Sequence, residues 1–178
     1  MKQYLLILSV SLFLVSSCKK DNQTEPETVT VNGKTFGCKV DGKTFIPDYW
    51  DYGNNIPPIS IDFSNVTFGG FTLIVEARRE NEIIEIFLNK PLFKGVHELK
   101  FITRAFPTYA FPKDYGLYQV KNISPQGEYI TNDTVGGYVD LIEIDTLTNK
   151  VYGKFEFTGT DKLTNKQVKV TNGIFKNY

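Results

Sequence analysis

Val151-Tyr152-Gly153-Lys154-Phe155-Glu156-Phe157-Thr158 is the stretch on which the fold turns. In an extended chain Val151, Gly153, Phe155 and Phe157 fall on one face, and Tyr152, Lys154, Glu156 and Thr158 on the other. A period of two, with aromatic and β-branched residues on the apolar parity, is the pattern of a half-buried strand. Tyr138 to Asp145 before it and Gln167 to Phe175 after it carry strand patterns too. The short turns Thr146 to Lys150 and Asp161 to Lys166 join the three into an antiparallel meander. Gly173, inside the last strand, points to a bulge or to close approach of another group to the backbone.

Working outward, the same signals recur toward the N-terminus. Thr35 to Val40 alternates, with Phe36, Cys38 and Val40 on one face, and Asp41-Gly42 is a two-residue hairpin signal. Pairing across that turn sets Cys38 opposite Phe45 on the inward face, so Cys38 reads as a small buried hydrophobe and not a reactive thiol. Pro47 ends the second strand early. Ile59, Ile61 and Phe63 alternate with Ser60 and Asp62. Phe71 to Arg78 and Glu82 to Leu88 are apolar on both parities, as expected of strands covered on both sides or wrapped into a barrel. Val96 to Thr103, Tyr115 to Val120 and Glu128 to Thr131 complete the set. The expected fold is all-β: an antiparallel β-sandwich of about nine to eleven strands, with a closed or partly closed β-barrel as the second shape.

The N-terminus carries a different message. Met1-Lys2-Gln3 is a short positive start, and Tyr4 to Val15 is a run of about twelve mostly apolar residues, too short to span a bilayer of roughly 30 Å. Small Ser16 and Ser17 precede Cys18. Leu12 to Cys18 thus resembles the lipobox of bacterial lipoproteins. That resemblance implies removal of the signal helix, residues 1–17, and acylation of Cys18 as the new N-terminus. More than one acyl chain, at about 0.8 kcal/mol per buried CH₂, makes a lasting membrane anchor. Residues 18–33 then read as the lipidated cysteine and a polar tether, and residues 34–178 as a single β domain. As a coil of about 15 residues the tether spans roughly 20 Å on average. Acids Asp21, Glu25 and Glu27 after Cys18 weakly resemble a surface-export signal. The expected location is the bacterial outer membrane, lipid-anchored and surface-exposed, with a periplasm-facing placement as the alternative.

Composition excludes several functions. The chain has 20 basic and 20 acidic side chains, and cleavage removes only Lys2, so there is no basic field for nucleic acid. With Cys18 lipidated, Cys38 is the one remaining thiol, which leaves no intrachain disulfide and no Cys₂His₂ metal site. His97 is the only histidine and shares parity with inward Leu99 and Phe101. It reads as a structural or rim residue, because a catalytic histidine needs orienting partners. No cofactor motif and no catalytic constellation are present.

Two segments stand apart as irregular and aromatic. Pro47 to Pro58 carries Tyr49, Trp50 and Tyr52 interleaved with Asp48 and Asp51. Arg104 to Asp114 carries Phe106, Tyr109 and Phe111 between Pro107 and Pro112. Aromatic faces stack on the CH faces of sugars, and carboxylates accept hydrogen bonds from hydroxyls. Asp48, Tyr49, Trp50, Asp51 and Tyr52, with Tyr109 and Tyr115 on the same rim, are therefore a candidate ligand platform. The competing reading makes these rings caps on the open end of the core. Burial of Tyr49, Trp50 and Tyr52 would remove the platform.

Val40-Asp41-Gly42-Lys43, Tyr152-Gly153-Lys154-Phe155-Glu156-Phe157 and Val170-Thr171-Asn172-Gly173-Ile174-Phe175 follow one another behind the lipobox. In this order they resemble a family of small bacterial lipoproteins known only as a domain of unknown function. The resemblance implies an all-β domain on a lipid anchor and supplies no activity and no site residues. The expected function is a non-catalytic envelope lipoprotein that binds a glycan, a peptide or an envelope protein, with the membrane as partner through acylated Cys18. The alternatives are a structural subunit of an envelope complex and, third, a hydrolase using a carboxylate pair.

Overall fold

In the computed structural model the described residues are 25–65, 71–89, 92–100, 113–122 and 124–178, and among them there are strands and no helix. The signal helix, Cys18, residues 101–103 of the expected strand after Val96, and Tyr109 lie outside them.

Among the described residues twelve strands form one antiparallel sheet that nearly closes on itself. They are β1 (Val29–Val31), β2 (Lys34–Val40), β3 (Lys43–Phe45), β4 (Ile59–Asn65), β5 (Phe71–Arg79) and β6 (Glu82–Leu88). Then follow β7 (Gly95–Leu99), β8 (Tyr115–Val120), β9 (Gly127–Ile130), β10 (Gly137–Asp145), β11 (Lys150–Asp161) and β12 (Gln167–Asn177). The order is β1-β2-β12-β11-β9-β8-β6-β5-β4, with β10 on β11, β7 on β10 and β3 on β2. The all-β antiparallel expectation holds, and the sheet takes the barrel-like shape. The reason lies in the ladders: β12 returns to pair with β2, and β11 is long enough to pair with β10 along one half and β9 at its far end. β9 and β10 therefore act as one interrupted strand along β11, and β7 and β8 as another.

Turn chemistry sets the registers. Asp41 and Gly42 both have positive φ, 47° and 77°, the geometry that twists a two-residue hairpin correctly. The pairing follows as expected, Cys38 opposite Phe45. Asn32 and Gly33 form the same kind of turn, at φ 51° and 77°. It pairs Val29 with Phe36, so β1 lies in the stretch read from sequence as tether. The polar Asn32-Gly33 pair is hairpin chemistry, not linker.

The barrel is filled by inward side chains. Phe36, Phe45, Leu73, Val75, Ile84, Ile86, Phe155 and Phe175 are all essentially inaccessible to solvent. Each such side chain contributes about 1.5–3 kcal/mol of burial. A second, smaller cluster of Phe87, Tyr115, Leu117 and Ile130, joined by Ile74, lies on the opposite parity of β5, β6, β8 and β9. This explains why β5 and β6 are apolar on both parities. Across the seam from β4, among the described residues, links are made by side chains. Lys34 Nζ lies 3.7 Å from Asp62, and Arg79 Nη1 donates to the Thr44 carbonyl at 3.0 Å while its guanidinium covers the Phe45 ring at 4.7 Å.

Candidate functional site

The loop between β3 and β4 is tied to one residue of β5. The amides of Asp48 and Tyr49 donate to the Arg78 carbonyl at 3.1 and 3.3 Å, and the Arg78 amide donates to the Pro58 carbonyl at 2.8 Å. Both ends of the loop thus hang on the peptide groups of Arg78. Pro47 and Pro58, whose rings fix φ, are buried at these two ends. Within the loop Asp51 and Ile56 exchange both backbone hydrogen bonds, at 2.9 and 3.0 Å. Asn55 supplies the positive φ, 55°, that the turn between them needs.

This frame holds the aromatic side chains at the surface. The Trp50 and Tyr52 rings stack with centroids 5.8 Å apart and planes 27° from parallel. Tyr52 is 85% exposed and Tyr49 43%, while Trp50 is half-buried beneath the stack. Asp51 turns inward on the loop and accepts from the Asn54 amide at 3.2 Å and from Asn54 Nδ2 at 2.9 Å. The Asn54 side chain chiefly, with loop amides, holds the Asp51 carboxyl below its ordinary value. Asp48 is exposed beside Tyr49. Of the two acids, Asp51 builds the loop and Asp48 faces solvent.

One predicted member, Tyr115, does not join this surface. Tyr115 is fully buried: its ring stacks on Phe87 at 5.3 Å and its hydroxyl donates to Glu85. Tyr115 belongs to the second apolar cluster, because β8 puts it on the same parity as Leu117 and opposite Phe87. Tyr109 lies outside the described residues. Sequence reasoning missed Arg78, which anchors the loop. Nothing local to Arg78 signals that role, since the contact is long-range and uses its backbone.

Other titratable groups are engaged structurally. Glu76 and Glu85 face each other directly across β5 and β6. Burial pushes the Glu76 carboxyl up, and Arg78 opposes this through contacts of 2.5 and 2.6 Å. Glu85 accepts from the Tyr115 hydroxyl. His97, inward beside Leu99, has Nε2 3.0 Å from the Phe93 carbonyl and Nδ1 3.5 Å from the Asp114 carboxylate. Among the described residues no group of three metal-ligating side chains comes together. No protein-family model, no curated protein and no solved structure matches the chain.

Proposed function

We propose that this protein is a non-catalytic envelope lipoprotein, anchored through acylated Cys18, whose loop at residues 47–58 binds a saccharide or glycopeptide. The observation that carries the reading is the exposed Tyr52 ring stacked on Trp50 in a loop braced at both ends by Arg78. An aromatic pair meant as a core cap would be expected to bury its larger faces, since each such ring can hide 150–250 Å². Here the frame keeps two tyrosines in water. A braced loop also loses little conformational freedom on binding, which leaves more of the contact energy as affinity. Tyr52 and Tyr49 offer stacking faces, and the exposed Asp48 carboxylate offers an acceptor for ligand hydroxyls. The lipobox and strand motifs, with their resemblance to small bacterial lipoproteins, support the anchored setting.

The structural-subunit reading is favoured by a different observation: Val96, Tyr138 and Ile142 are exposed on the outer sheet surface of β7 and β10. Glycan-array binding of soluble residues 19–178 separates the two. Specific binding that is lost in both Trp50→Ala and Tyr52→Ala, with folding intact, supports the platform. Glycan binding unaffected by both changes removes this loop as the site. Recovery of one stoichiometric envelope protein without glycan binding favours the subunit.

A further inference from the structure

The N-terminal strap carries an orientation, and we infer that the barrel lies on its side, with the outer face of β11 and β10 toward the bilayer and the aromatic loop on the far side. The inference rests on reading Cys18 as the lipidated N-terminus.

Residues 25–28 do not leave the barrel at one end. They cross its outer face. Pro26 is buried, and the Glu27 carbonyl oxygen sits directly over Gly37, in the space a Cβ would need. Glu25 lies 3.8 Å from Lys154 Nζ. The ladders order this face as one row: Gly37 opposite Ile174, Ile174 opposite Lys154, Lys154 opposite Asp140 and Asp140 opposite Val96. The strap therefore runs from β2 over β12 to β11, a path of about 10 Å at the usual strand spacing. At Glu25, the first described residue, its direction is toward β10.

Cys18 lies seven residues before Glu25 in the sequence. Even fully extended, that length reaches only about 25 Å. The face over which the strap leaves is thus the face nearest the anchor. Its chemistry tolerates a lipid surface. Tyr138 and Ile142 on β10 and Val96 on β7 are exposed there. Lys100 and Lys154 stand among the acids Glu98, Asp140 and Glu156 and the strap's Glu25 and Glu27, a mildly acidic face that a zwitterionic lipid surface does not repel. Tyrosine, apolar in body and polar at its tip, suits the interface.

The loop's address follows from strand order. It hangs on β5, four ladders from β11 along β11-β9-β8-β6-β5, which is the opposite side of the barrel. The platform then faces away from the bilayer, and its ligand comes from the medium and not from lipid headgroups.

The test uses residues 18–178 coupled through the Cys18 thiol to phosphatidylcholine vesicles carrying a maleimide lipid. Cys38 is buried and stays out of the coupling. A membrane-impermeant amine reagent then labels lysines, read by mass spectrometry. Expected is several-fold slower labelling of Lys154 and Lys100 on vesicles than in the free chain, with Lys43 and Lys121 unchanged. Inserting roughly twenty Gly and Ser residues before Glu25, which adds about 25 Å of reach, should return Lys154 and Lys100 to the free rate. Equal slowing at all four lysines, or slowing at Lys43 and Lys121 alone, overturns the orientation. The anchor is checked apart from this, by palmitate incorporation in the producing bacterium against Cys18→Ala. An unlabelled wild-type chain overturns the anchor, whereas a labelled chain without the lysine pattern overturns only the orientation.

Discussion

The Phe155 ring lies across Gly173, its directly opposed partner on β12, and fills the space where a Cβ would stand. The exchange recurs with the roles reversed, Phe175 over Gly153 on the neighbouring inward pair. Two large rings and two glycines thus interlock between β11 and β12 at the centre of the core.

Gly173→Ala is therefore expected to destabilise the fold. A Gly→Ala change at an unstrained site gains about 0.4–1 kcal/mol by restricting the unfolded chain. Overpacking a filled core costs about 1–3 kcal/mol, and here it wins. Urea denaturation should show the loss, and Phe155→Leu in the same background should recover part of it. A neutral Gly173→Ala would mean that the ring can move aside.

Cys38 is fully buried opposite Phe45, and burial pushes its thiol well above the ordinary range. In the chain from Lys19, an aromatic disulfide reagent at neutral pH should react at the rate of unfolding and not faster. Prompt reaction under native conditions would contradict the packing of β2 on β3.

The hydrogen bond with Asp114 raises the His97 pKa, with the Phe93 carbonyl adding to it and burial opposing. A raised folded pKa means that the protonated form favours the fold. This stability is fully present below the unfolded value of 6.5 and is lost as pH rises through the folded pKa. The stability gap between wild type and His97→Gln should be larger at pH 5.5 than at pH 8.5. A gap that grows with pH would reverse the assignment. NMR titration should show the His97 pKa falling in Asp114→Asn.

Asp145-Thr-Leu-Thr-Asn-Lys150 and Asp161-Lys-Leu-Thr-Asn-Lys166 are two copies of one turn. In each, the leading aspartate accepts from the two amides that follow its neighbour and from the threonine hydroxyl, and the asparagine takes φ 57°. Asp161 also accepts from the Glu128 amide at 3.1 Å, which ties β9 to the end of β11. The threonine side-chain bond, above all, lowers both carboxyl pKa values. Lowered folded values mean stability that is present above the ordinary 3.8 and lost as pH falls through the folded pKa. Asp161→Ala should lower the melting temperature more than Asp145→Ala, and both deficits should shrink in acid. Equal deficits would leave the Glu128 contact without energetic weight.

These turns show how much was legible in advance. The Asp41-Gly42 hairpin and its register could be read from local sequence, because two positive-φ residues and an alternating face specify the pairing almost alone. Gly173 announced both of its roles, for β12 bulges against β2 between Thr171 and Ile174 and also receives the Phe155 ring. Tyr115 misled, because its strand carries apolar residues on both parities and only a second cluster, outside the barrel, gives it a place. The tether, read to residue 33, took in β1 and its Asn32-Gly33 turn, because a three-residue strand has no period of its own.

From the sequence by itself came the strands, their faces and most of their turns, since side-chain alternation and positive-φ chemistry act over neighbouring residues. Closure into a barrel, the burial of Tyr115 and the bracing of the aromatic loop were decided only by the tertiary structure. Each depends on residues distant in the chain: β12 returning to β2, Phe87 meeting Tyr115, and the Arg78 peptide holding both ends of a loop whose own residues do not specify it.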